Sequence, residues 1–171
     1  MKITTEKQLM EIITQIHSGC HKLCKQAFDQ YYEVSGNMGV FCHDDDEYEL
    51  LTQLRKDLTE PSDNPNQKYF KLIEPIVVNA TNGFPKATYT HLYIRQPDPT
   101  PYGEHSGDVD FVLEPGEYDQ LKASITENSK DGIQMYDRPG WDTIQITDPN
   151  IDAIAYVSTL EMAKKARVKF V

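Results

Sequence analysis

The chain has 171 residues, a length that suits one domain with a real core. Its composition, 39% hydrophobic and 26% charged, is that of a globular protein and not of a disordered one. A formal net charge of −10 argues against nucleic acid and anionic membranes as partners, because both repel an acidic surface.

No run of about 18 apolar residues occurs, so no transmembrane helix is expected. The opening residues lack the apolar core and small-residue cleavage site of a signal peptide. Cys20, Cys24 and Cys42 are an odd set of three. They argue against a disulfide framework and fit a reducing, cytoplasmic setting.

The first element expected is a long helix over residues 4–33. Leu9, Ile13, Ile16, Cys20, Leu23, Ala27 and Tyr31 recur at helical spacing, and Thr4 or Thr5 can cap the start. Ser35-Gly36-Asn37 ends it. Met38 to His43 is a short apolar strand. Asp44-Asp45-Asp46 then suits an N-cap and acidic first turn for a helix over 45–59. The polar, proline-containing stretch 61–66 is a loop. Lys68 to Val78 is a strand in which Pro75 marks an edge or a bend. Asn82-Gly83 is a turn, and Ala87 to Arg95 a further strand. Pro97, Pro99 and Pro101 make a stiff extended connection without helix.

The order of elements then begins again. A strand covers 108–113, a helix opens at Pro115-Gly116-Glu117, and strands cover 133–136, 143–147 and 152–158. A short helix at about 159–166 closes the chain. Phe41, Glu47, Tyr48 and Leu51 reappear 70 positions later as Phe111, Glu117, Tyr118 and Leu121. These matches fall on the same strand-to-helix crossover, which points to a duplicated strand–helix–three-strand unit. The expected organisation is a single domain: an N-terminal helix (1–36), a first module (37–96), a second module (107–158) and a tail (159–171). The fold class is α+β, with two tandem βαβββ-like modules forming a curved mixed sheet.

Two such units in tandem resemble the vicinal-oxygen-chelate superfamily, which includes glyoxalase I, bleomycin-resistance proteins and extradiol dioxygenases. The stretch from Asp137-Arg138-Pro139-Gly140-Trp141 to Thr147-Asp148-Pro149 looks like the closing strands of such a module. Within the superfamily the chain is most similar to YecM-type bacterial proteins, described as metal-binding. The stretches that carry this are 70–78, Tyr102 to Asp108, and Phe111 to Gly116. The resemblance implies a cleft on the open sheet face, a divalent metal (Zn, Ni, Mn or Fe) held by histidine and glutamate, and pairing of chains as a homodimer. The positions where those ligands are expected carry Met38 to Cys42, Arg95, and Ile154 to Val157 here.

Strand alternation supplies a different constellation. His91, Tyr93 and Arg95 point one way from 88–95, and Asp108 and Asp110 share one face of 108–113. With His105 on the loop leading in, these are the candidate ligand-binding residues. His91 and Asp110 are the candidate metal ligands, with waters completing the shell. The other option is that Arg95 clamps a carboxylate or phosphate, with His91 or an aspartate as acid or base.

His17, Cys20, His21 and Cys24 share a helix face, but one straight helix cannot wrap four ligands around an ion, and the cysteines continue the apolar stripe. Asp44 to Glu47 lacks the spaced ligands of a calcium loop. Cys42 and His43, adjacent on a strand, face opposite ways. The functional expectation is a glyoxalase-like cleft protein for a small polar or anionic ligand, with a divalent metal as an option and a metal-dependent lyase or isomerase as the enzyme class. The alternative is a non-catalytic acidic adaptor or inhibitor that binds a protein partner.

Overall fold

A computed structural model describes residues 2–138 and 140–169, the side chain of Arg138 excepted. Helix α1 runs Glu6–Phe28, and Thr5 and Gln8 close a reciprocal capping box at its start. It ends five residues before the expected boundary. Asp29 adopts a left-handed conformation, φ 56°, and its N–H bonds the Lys25 carbonyl. The apolar stripe continues past this cap only as sequence.

Strand β1 (Glu33–Phe41) therefore begins earlier than residue 38. Gly36, expected to stop a helix, sits inside the strand at φ +99°, within a bulge between Val34 and Met38. Helix α2 (Asp45–Leu58), capped by Asp44, leads to β2 (Phe70–Val78) and β3 (Ala87–Arg95). The proline-rich connection contains a 3₁₀ turn, Pro101–Glu104, where only extended chain was expected. Proline at the first helical position loses no needed hydrogen bond, so Pro101 permits the turn. Then come β4 (Gly107–Val112), α3 (Pro115–Glu127), β5 (Ile133–Arg138), β6 (Trp141–Asp148), β7 (Ile151–Ser158) and α4 (Leu160–Lys165). Pro139 of the expected closing stretch lies outside the described residues.

The chain is α+β, and the strands form one mixed sheet in the order β2-β3-β1-β4-β7-β6-β5. Each half pairs its first strand in parallel with its last, β1 with β3 and β4 with β7. The halves meet through antiparallel β1 and β4. The second half is a full βαβββ unit. Among the described residues, the first half has a single bridge, Thr59 to Leu72, where the second has strand β5. Pro75 lies on edge strand β2, between the two runs of its pairing with β3.

Register also separates the two phenylalanines of the repeat. Phe111 stands with Val109 on the face covered by α1, where its ring meets His21 at 5.0 Å. Phe41 stands with Gly39 on the other face, 5.2 Å from the Tyr102 ring. The 70-residue offset thus holds for the crossover and not for the facing of each strand residue.

The core lies between the sheet and helices α1 to α3. It includes Leu9, Ile13 and Ile16 of α1, Leu51 of α2, Met38, Val40 and Val109. The three cysteines are free and buried. Among the described residues no helix is long and apolar enough to cross a membrane. The short α4 crosses to the opposite face, where it packs on β1, β4 and β6.

Candidate functional site

Opposite α1 to α3, the sheet face is open at the seam between the halves. Strand register brings Tyr93, Gly39 and Asp108 side by side across β3, β1 and β4, and Tyr156 of β7 beside Asp110. Gly39 leaves the middle of this row bare. A Cβ there would strike the Asp108 carboxylate and approach the Tyr69 hydroxyl, so the glycine makes room for that carboxylate to lie across β1.

Two distant segments wall the cleft. The Lys68 and Tyr69 amides both donate to the Arg167 carbonyl, and the Lys169 amide donates to the Asn66 carbonyl. This strap carries Lys68 and Tyr69 over the sheet. Met162 and Ala163 of α4 and Ala166 at its C-cap also line the cleft. The cavity has a volume of about 350 Å³, within the usual range for small-molecule sites, about 300–1,000 Å³.

Two cations face two carboxylates in this space. Arg95 lies against the rings of Tyr102 (4.3 Å) and Phe41 (4.9 Å), and its Nη2 donates to Asp98 at 2.7 Å. Its Nη1 is buried with no hydrogen-bond partner. Asp98 also accepts from Thr100, and these bonds, with Arg95, bring its carboxyl down to about 2. Lys68 stands 5.2 Å from the Tyr93 ring centre and is in no salt bridge among the described residues. Lys68, Tyr93 and Arg95 also form one wall of a neighbouring cavity of about 400 Å³ under α2.

Asp108 is 6% exposed. Its two oxygens accept from the hydroxyls of Tyr69 (3.3 Å) and Tyr102 (3.4 Å). Burial, and then the neighbouring Asp110, push its carboxyl up to about 7, against the pull of Lys68 and Arg95. Asp110 is raised too, by burial, although it accepts from Asn37 Nδ2 at 2.8 Å. Asn37 in turn accepts from Arg167 Nε at 2.8 Å. Tyr156 donates to Tyr102 at 2.8 Å, which ties β7 into the network. The arrangement can therefore hold an anion at one side and a hydrogen-bond or proton donor at the other. Burial favours the protonated form of both carboxyl groups.

The structure brings four of the six expected residues together: Tyr93, Arg95, Asp108 and Asp110. His91 shares their sheet face but opens into a separate cavity with Glu60, Gln67 and Lys71. The strap lies between. Burial, then Arg167 and Lys71, bring the His91 imidazole down to about 4, so it is neutral at physiological pH. His105 lies after the 3₁₀ turn, away from the cleft; its carbonyl faces His43 Nε2 at 3.2 Å.

Sequence reasoning did not reach Lys68, Tyr69, Tyr102 or Tyr156. Tyr156 was within reach, since alternation from Ile154 puts it on the cleft face. The other three depend on loop paths that no local pattern encodes.

The residues present do not fit the divalent ion that the family resemblance implies. The expected pair, His91 and Asp110, is split between two cavities. Among the described residues no three His, Cys, Asp or Glu side chains are grouped as a metal would need. The two cleft carboxylates face Arg95 and Lys68, whose charges oppose a bare divalent ion that brings no anion of its own. His17 and His21 sit in the core, with His17 Nδ1 2.8 Å from the Tyr89 hydroxyl.

No protein-family model and no curated protein matches the chain. The chain is similar to two solved structures. One is a structural-genomics protein, Protein EC4020, at 14% identity and a TM-score of 0.49, covering 96% of this chain and 97% of that one. The other is a glyoxalase/bleomycin resistance protein/dioxygenase superfamily member from Vibrio splendidus 12B01. It has 12% identity and a TM-score of 0.37, over 71% of this chain and 96% of that one. The chemistry of the cleft rests on its own residues.

Proposed function

We propose that the protein binds a small ligand with an anionic group in the cleft between its halves, with Lys68 and Arg95 as the anchor. The observation that carries this is a pair of cations without full partners. Lys68 is in no salt bridge among the described residues, and Arg95 keeps Nη1 without an acceptor. Leaving a charged donor buried and unpaired is costly, and a carboxylate or phosphate oxygen supplies the missing acceptor. Lys68 and Arg95 both line the cavity in which such an oxygen would sit. Asp108 and Asp110 add hydrogen-bonding capacity at the other side.

The test is calorimetric titration with inorganic phosphate, acetate and succinate, on wild-type protein and on Arg95→Gln. Wild-type protein is expected to bind at least one of them, and Arg95→Gln to weaken that binding about tenfold or more, in line with loss of a charge-assisted contact. Absence of binding by the wild type, or equal binding by Arg95→Gln, overturns the proposal. The adaptor reading then takes its place, with the cleft serving a protein partner.

A further inference from the structure

We infer that the ligand of the cleft is a small zwitterion, its anionic end held by Lys68 and Arg95 and its ammonium by Asp110 and Asp108. This rests on the anion reading above and adds the second end of the ligand. Three observations point to it.

The first is the separation of charge. Arg95 leaves β3, and Lys68 stands over the neighbouring Tyr93 ring. Both aspartates leave β4. Strand β1 lies between; the Asp108 carboxylate lies across it over Gly39, and Asp110 stands further along β4. Two strand spacings separate the halves of the site, about 9–10 Å between backbones. A ligand that spans the gap meets positive charge at one end and negative charge at the other.

The second is the state of the two carboxylates. Asp108 has a hydroxyl donor on each oxygen. Asp110 has one, Asn37, on Oδ2 only. Its Oδ1 is neither hydrogen-bonded nor among the buried unpartnered atoms, so it is open on a half-buried residue that lines the cavity. An ammonium has three donors and suits an open carboxylate oxygen beside a second carboxylate.

The third is charge balance. Lys68 and Arg95 stand against Asp98 as well as Asp108 and Asp110, so the carboxyl groups already outnumber these two cations. A simple anion would add a further negative charge beside them, whereas a zwitterion adds no net charge. Met162 and Ala163 of α4 and Ala166 at its C-cap add apolar lining to the cavity, which suits a short methylene chain.

The test compares ω-amino acids, from glycine to 6-aminohexanoate, with unsubstituted alkanoates of the same chain length, by calorimetry on the full chain. At least one amino acid is expected to bind ten or more times tighter than its matched alkanoate. Asp110→Asn should remove that ratio, and Asp108→Asn should reduce it. Arg95→Gln should weaken both members of a pair. If alkanoates bind as tightly as amino acids while Arg95→Gln still weakens them, the zwitterion inference fails and the anion reading stands. If neither class binds, both fail. The wild-type ratio decides the inference even if Asp110→Asn does not fold.

Discussion

Replacing Asp108 by asparagine should stabilise the protein, and only above mildly acid pH. An ordinary aspartate ionises at 3.8, whereas Asp108 in the fold holds its proton to about 7. The folded chain therefore binds more protons than the unfolded chain between these values, and stability falls as pH rises through that window. Below about pH 4 both states are protonated and the penalty is absent. Above about pH 7 both are ionised and it is complete. For one isolated group that difference is about 4 kcal/mol. Asp110 shares the same low-dielectric space, and the pair titrates together, which spreads and reduces the effect. Removing the Asp108 charge should return about 1–2 kcal/mol at pH 8, or roughly 2–8 °C in Tm for a chain of this size. The asparagine carbonyl can still accept from one of the Tyr69 and Tyr102 hydroxyls, and the other hydroxyl must turn to accept from the new amide. Thermal unfolding of both proteins between pH 4 and pH 8.5 checks this. The gap should open as pH rises through 4 to 7. A gap that does not change with pH, or a variant less stable than wild type at pH 8, refutes the burial argument.

Two other substitutions probe the frame of the site. Gly39→Ala puts a methyl group against the Asp108 carboxylate and should cost about 1–3 kcal/mol in denaturant unfolding while weakening cleft binding. Unchanged stability would mean that Asp108 has another place to lie. Glu47, 3% exposed, accepts from the Ile3 amide (3.0 Å) and the His43 amide (2.9 Å). Glu47→Ala should therefore cost about 1–3 kcal/mol. Amide exchange at Ile3 and His43 should quicken, and unchanged exchange there would show that neither bond protects its donor.

The order of elements was legible because it is written in local chemistry. Proline and glycine clusters punctuate it, and the alternation in 88–95 and 108–113 sets which side chains share a face. That alternation placed Tyr93, Arg95, Asp108 and Asp110 on one surface. The end of α1 was not legible, because an aspartate in a left-handed cap carries a weaker signal than a glycine would. His91 shows the limit of alternation. It lies on the expected face, but a face can be divided, and the divider here is built from residues 66–69 and 167–169. Contacts between segments 100 positions apart leave no periodic trace in either segment. The Phe41–Phe111 match shows the converse, since a repeat seen in letters can be offset by one residue in the pleat, and one residue reverses a strand side chain.

That divider also bears on how the molecule breathes. It is held to itself by a handful of main-chain bonds, at Lys68, Tyr69 and Lys169, and it joins remote parts of the chain, so its closure entropy is recovered only once both ends have docked. The sheet beneath can persist without it. The cheapest opening of the native state therefore lifts the strap and leaves the core intact. Lifting it withdraws Tyr69 from Asp108 and admits water to the carboxylates. Access for a ligand and hydration of the acid pair are thus one event, with the docking of two distant chain segments as its latch.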